Sequence, residues 1–234
     1  MRTERIDFIS EYCDRWCERC AFTSRCSSYA VQAAMGMCGD FKEAIELAVG
    51  APRRVGATAV DDSEQRPWLD IPEPTPKELR DLEQEEKARK RRIDRSPVTR
   101  MANRTTGMSY HWFRARSDAA RAGGDAVVLE ALEILEWDSH LIGAKLHRAL
   151  MGQDRHHTDA FDDDPVQNDW NGSAKVALIS LDRSEAAWQV IAQATGDAAA
   201  AHLAVVLADL RGEVERAFPL ARRFKRPGFD RDKR

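Results

Sequence analysis

Four cysteines, Cys13, Cys17, Cys20 and Cys26, stand within 14 residues in the spacing C-x3-C-x2-C-x5-C. Thiolate sulfur is a soft ligand that suits zinc and iron–sulfur clusters. Four thiolates on so short a segment close a site with little loop-closure entropy. The expected cofactor is therefore a zinc ion or a [4Fe–4S] cluster. The competing reading takes the cysteines as small apolar residues packed on a helix face. Ile6, Ile9, Cys13, Cys17 and Cys20 do share one side of a helix predicted from about Thr3 through the early cysteines. Cys26 lies beyond that face, past Thr23 and Ser24, where a shared ligand explains a cysteine better than packing does.

Helix geometry bears on the choice of metal. On a regular helix Cys13 and Cys20 lie ~10.5 Å apart along the axis. Sulfurs around one tetrahedral zinc are only ~3.8 Å apart. A four-iron cluster seats each thiolate on a different iron and spans more. The choice turns on where the first helix stops. Tyr12, Trp16 and Phe22 would shield a site from solvent, or serve as ordinary core aromatics. The Cys13-x3-Cys17-x2-Cys20 portion resembles, over eight residues, the cluster-binding motif of radical SAM enzymes. That family carries the motif on a loop after a barrel strand, and this chain departs from the pattern, having no alternation of strands and helices.

A second constellation lies further along. Glu133, His140 and His147 recur every seven residues and share a helix face, and Glu136 and His140 are four apart. Asp182 and Glu185 interrupt an apolar stretch, and His111, His202, Asp209 and Glu213 sit on neighbouring predicted helices. Carboxylates and histidines projecting inward from four helices can hold a metal pair. The Glu-x-x-His signature of di-iron bundles is missing, so the weaker candidate site reduces to Glu133, His140 and Asp182. The alternative is a set of solvated or interhelical salt bridges. His156, His157, Asp159, Asp162, Asp163 and Asp164 form a polar loop that a divalent cation could use. Basic runs at 87–92 and 222–226 could meet phosphate, but helix-dipole matching and a basic tail explain them without a ligand.

The elements that must position these residues are all helical. Apolar spacing follows the helical period nearly everywhere, and no period-2 run of useful length occurs. Residues 1–50 read as an N-terminal cysteine-rich helical module, with a capping box at Asp40 and Glu43 opening a short helix. Residues 51–74 read as a linker with four prolines. Residues 75–217 read as the bundle. Its first helix starts at Thr75-Pro76-Lys77-Glu78; four longer ones follow, from Ser96-Pro97 to Gly123, Asp125 to Met151, Gly172 to Thr195 and Asp197 to Ala217. Short glycine turns make neighbours antiparallel, so the expected fold is all-α, an up-down four-helix bundle carrying the cysteine module. Residues 218–234 read as a basic tail, the candidate surface for a protein partner.

Composition narrows the function classes. The 234 residues are 43% hydrophobic and 32% charged with a net charge of −3, which gives no global field for nucleic acid or an anionic membrane. Eight lysines stand against 28 arginines, a skew expected of a GC-rich bacterial genome. No apolar run approaches a membrane span, and the N-terminus lacks the apolar core of a secretory signal. A cytoplasmic chain with five cysteines points to metal binding rather than disulfides. No dinucleotide, Walker, zincin or hydrolase motif is present. The expected function is thus a cytosolic metal- or iron–sulfur-binding helical protein, its four-cysteine site structural or electron-transferring. The alternatives are a metal-dependent enzyme using the bundle residues, and a zinc-stapled interaction or regulatory module.

Overall fold

A computed structural model describes residues 4–50, 73–159 and 164–230, with the backbone alone at 157–159. Among the described residues there are seven α-helices and no strand: α1 (Ser27–Cys38), α2 (Phe41–Val49), α3 (Pro76–Asp94), α4 (Pro97–Gly123), α5 (Ala126–Asp159), α6 (Asp169–Thr195) and α7 (Ala198–Ala217). None is long and apolar enough to cross a membrane. The chain divides into two compact units, Met1–Ile6 with Cys20–Ala88 and Asp7–Arg19 with Arg89–Arg234. The expected linker at 51–74 lies outside the described residues up to position 72.

The expected first helix does not form. Residues 7–12 are turns, and the remainder holds two single-turn 3-10 helices, Cys17–Arg19 and Thr23–Arg25. Phe8 and Arg15 adopt φ of 59° and 60°, a left-handed conformation that interrupts any right-handed helix there. The helix of this region is instead α1. Its sequence, SSYAVQAAMGMC, is rich in small residues and poorly sided, so periodicity does not announce it. Its N-cap is Cys26, whose Sγ accepts from Tyr29 N at 3.4 Å. Cysteine is not among the usual capping residues. Gly39, at φ 72°, ends the helix in the left-handed conformation that glycine tolerates best.

In the first unit α1 packs on α2, with Ala34 and Ala44 buried. The Asp40 carboxylate accepts from Glu43 N at 2.8 Å and opens α2 as expected. Arg5 ties the unit together by donating to the carbonyls of Cys26 and Ala48, each at 3.1 Å. At the start of α3 the Thr75–Glu78 box is complete: Glu78 accepts from Thr75 N at 2.7 Å, and Thr75 Oγ1 accepts from Glu78 N at 3.3 Å.

The second unit is a helical bundle. α4 packs on α5 and α7, and α6 packs on α5 and α7, closing a ring around one core. Leu132, Leu146, Leu178, Leu181, Leu203 and Leu210 fill it, with the edge-to-face pair Trp112–Trp188 at 4.8 Å. Asp197 serves two elements. It caps α7 through Ala199 N at 2.8 Å and accepts from the Trp112 indole at 2.7 Å, which satisfies a buried donor. α5 runs eight residues past the expected end at Met151, into the expected polar loop. Arg89 and Arg92 hold Asp154 of that extension at 3.1 and 2.8 Å, and Gln153 donates to Ala217 O at 3.0 Å.

The expected basic tail is a docked segment through residue 230. Phe218, Ala221 and Phe224 are buried, and Asp230 meets Lys175 at 2.6 Å and Arg226 at 3.1 Å. Burial pushes the Asp230 carboxyl up, but the hydrogen bonds from Arg226 and Lys175 outweigh it and hold it down at about 2. A carboxyl held below its unfolded value of about 3.9 stabilises the fold above that pH and loses the contribution as pH falls. The melting-temperature gap between the parent and Asp230→Asn is therefore full at neutral pH. It closes as pH drops from about 4 to about 2, as followed by circular dichroism.

Candidate metal centre

In the second unit, residues 7–19 lie as a strap on α5 and α6. Each of several positions has its own anchor. Arg148 bridges Glu11 at 3.0 Å and Asp169 at 2.6 Å, and Lys145 Nζ donates to Glu11 O at 2.9 Å. Lys145 is buried, and desolvation pushes its pKa down. Tyr12 packs on Phe224 at 4.7 Å and sits over Gly172. Asp14 pairs with Arg183 at 2.9 Å, and its carbonyl accepts from the Trp137 indole at 2.9 Å. Trp16 stacks on Trp137 at 5.2 Å and 12°. Arg19 closes the strap on Glu130 at 3.1 Å and Glu133 at 2.5 Å.

The deepest of these anchors is ionic. Asp138 of α5 is fully buried, and its carboxylate takes two bonds from Arg183 at 2.9 and 2.5 Å and one from Ser184 Oγ at 3.1 Å. Desolvation pushes the Asp138 pKa up, against the pull of Arg183. Sequence reasoning misses this pairing. Both partners sit among other charges in the sequence, Asp138 near Glu136 and Arg183 beside Asp182, so no local signal singles the pair out.

Cys13 and Cys17 belong to this unit, Cys20 and Cys26 to the first. All four are half-buried and unbridged, as is Cys38. Cys13 Sγ accepts from Arg15 N and donates to Ser10 O, each at 3.4 Å. Burial pushes the Cys13 thiol up, against the Arg15 N–H and the charges of Lys145 and Arg15. Cys17 opens the first 3-10 turn. Cys20 Sγ accepts from Phe22 N at 3.4 Å, just as Cys26 Sγ accepts from Tyr29 N. Three of the four sulfurs thus take a backbone N–H from two or three residues ahead, on turns rather than on one straight helix. The long axial spacing that counted against zinc therefore does not apply. Among the described residues, no three His, Cys, Asp or Glu side chains are gathered to hold a metal ion as they stand.

The weaker candidate residues do not come together. Glu133 pairs with Arg19, while Asp182 pairs with Arg222 at 2.6 Å and Arg211 at 3.3 Å. His140 is exposed, as are His111, His147 and His202. The seven-residue repeat does put Glu133, His140 and His147 on one face of α5, but it is the outward one. Leu132, Leu135, Ile142 and Leu146 take the core-facing positions. The basic runs are partnered internally, Arg92 with Asp154 and Arg222 with Asp182 and Glu215. In the polar loop, Asp164 accepts from Val166 N and Gln167 N, and His156 lies against Trp170. The side chains of His157 and Asp159, and Asp162 and Asp163 entirely, lie outside the described residues.

No family model matches the chain, nor does any curated protein or solved structure.

The strap leaves no room at Gly172. An added Cβ would lie 2.5 Å from Tyr12 Cδ1 and 2.8 Å from Phe224 Cζ, and nearer still to Tyr12 Cε1. Gly172→Ala is expected to cost about 1–3 kcal/mol by overpacking. Because Tyr12 is the more easily moved partner, limited proteolysis of the variant should cut within residues 7–19 while the helices stay intact.

Proposed function

We propose that Cys13, Cys17, Cys20 and Cys26 bind one metal centre, a zinc ion or a [4Fe–4S] cluster, in a four-helix bundle protein that carries its cysteine segment at the N-terminus. The carrying observation is the set of backbone N–H groups directed at Cys13, Cys20 and Cys26 Sγ. A neutral thiol gains little from such donors. A metal-bound thiolate is negatively charged and gains more, because hydrogen bonds to charged acceptors are about twice as strong as neutral ones. The donor chemistry also fits: four soft sulfurs, all free of disulfides, suit zinc or an iron–sulfur cluster and disfavour hard cations.

Ligation requires each thiol to release its proton. Burial works against this at Cys13, and a divalent or cluster iron supplies the compensating charge. The chain's own part is to hold the sulfurs and offer N–H groups to the thiolates. The centre's role in this reading is structural or electron-transferring, in a reducing compartment such as the cytoplasm.

Metal analysis of anaerobically purified protein tests the reading. The expected result is either one zinc per colourless chain or a brown protein with about four irons per chain. The Cys13/Cys17/Cys20/Cys26→Ser variant should lose the metal. Protein that is metal-free under both aerobic and anaerobic purification overturns the reading, as does metal retained in the serine variant. Reversible reduction without loss of the cluster assigns electron transfer; colourless zinc protein that melts earlier after chelation assigns a structural staple.

A further inference from the structure

We propose that the cleft between α4 and α5 binds a small aromatic carboxylate, held by the Arg114 guanidinium. The inference is independent of the cysteines, and every residue it uses belongs to the second unit. Thr106, Tyr110, Phe113 and Ser117 follow one another at intervals of four, three and four, so they form one stripe of α4. Ser139 and His140 of α5 line the same cavity, which has a volume of about 380 Å³. That is room for a ligand of one or two rings. Phe113 is a fixed wall, packed edge-on against Trp112 at 5.5 Å and tilted on Trp188 at 5.8 Å. Tyr110, 56% exposed, is a wall reached from solvent.

Charge selects the ligand. α4 carries five arginines against one acid, Asp118. Arg116 pairs with Asp197 and Arg121 with Glu136. Among the described residues lining the cleft Glu136 is the one carboxylate, and Arg121 neutralises it. Arg114 makes no ion pair among the described residues, and its guanidinium carbon lies 5.8 Å from the Tyr110 ring. The hydroxyls of Thr106, Tyr110 and Ser117 likewise have no hydrogen-bond partner among the described residues, whereas Ser139 Oγ donates to Glu136 O at 2.8 Å. The unspent groups at the cleft are thus one planar cation and a set of O–H donors beside two aromatic walls. A guanidinium takes both oxygens of a carboxylate in parallel bonds. A flat ring attached to that carboxylate packs on Phe113 and Tyr110. An ammonium would meet Arg114 instead of a counter-ion, and a doubly charged phosphate would add repulsion from Glu136.

The test titrates 2-naphthoate into the full chain by calorimetry, with 2-naphthamide and 2-naphthylmethylammonium as neutral and cationic forms of the same ring. Melting curves of each variant are recorded in parallel. Naphthoate should saturate one site per chain, and the amide and the ammonium should bind at least roughly 10-fold more weakly, the factor expected for a hydrogen bond to a charged group. Arg114→Met should weaken naphthoate by roughly 10-fold or more and leave the amide unchanged. Tyr110→Ala should weaken acid and amide alike, because it removes a wall and not the charge. Arg100→Met is the control. It removes an exposed arginine of the same helix, ~21 Å along the axis from Arg114, and should leave binding as it is. A parent that shows no saturable binding of naphthoate overturns the proposal, as does an amide or ammonium that binds as tightly. An Arg114→Met variant that keeps both the parent's melting curve and its affinity overturns it too. If Arg100→Met weakens naphthoate as much as Arg114→Met does, a diffuse field and not this cleft attracts the anion, and the proposal fails.

Discussion

A carboxylate buried with no accessible surface is costly unless a cation meets it, and Asp138 is such a group. Its position on α5 obliges α6 to bring Arg183 opposite, and the bidentate geometry fixes the register between the two helices. Once Arg183 has satisfied Asp138 it still has an N–H to spare, and that donor reaches Asp14. The same ion pair therefore sets the contact between the central helices and the placement of the strap that crosses them. Removing only one member would strand the other in the core, which typically costs about 3–5 kcal/mol. Replacing the pair by well-packed apolar groups need not, so the pair is better understood as specifying an arrangement than as the main source of stability.

Stability comes instead from the apolar ring. Several buried positions of α6 are small, Gly172, Ser173, Ala174 and Ala177 among them, and small residues let α5 approach closely. Close approach shortens the gap across which Asp138 and Arg183 meet. It also leaves a bare surface at Gly172 for the Tyr12 ring. Packing, charge pairing and strap docking are thus three consequences of one sequence choice on α6. The C-terminal segment uses the same logic at the end of the bundle, with Phe224 against Tyr12 and Asp230 on Lys175.

The long helices were legible because their signals are redundant. Thr75–Glu78, Ser96-Pro97 and Asp197 each combine a cap with a clear change of period, and the structure starts helices at these points. The helix expected through the early cysteines, which apolar spacing alone suggested, is absent over residues 7–20. Periodicity does not register that Phe8 and Arg15 take left-handed backbone or that tertiary anchors hold the strap. α1 escaped notice for the opposite reason, having alanines with little sidedness and a cysteine cap. For the second constellation, the shared face of Glu133, His140 and His147 was legible but its direction was not. Charged residues repeat with helical period on the solvent side as readily as inside. The network at Asp14, Asp138 and Arg183 involves partners far apart in the chain, which no local pattern can pair.

That separation has a consequence for the order in which the protein is made. A ribosome adding roughly 5–20 residues per second leaves on the order of 10 s or more between Asp14 and Arg183. Throughout that interval the thiols of Cys13 and Cys17 exist without the scaffold that later seats them. Docking of the strap is a late, nonlocal event of the kind that slows folding, whereas the helix pairs joined by short turns can form as they emerge. The nascent chain therefore passes through a stage in which its cysteines are open to whatever metal or oxidant the surroundings offer, and it ends only when the last two helices arrive.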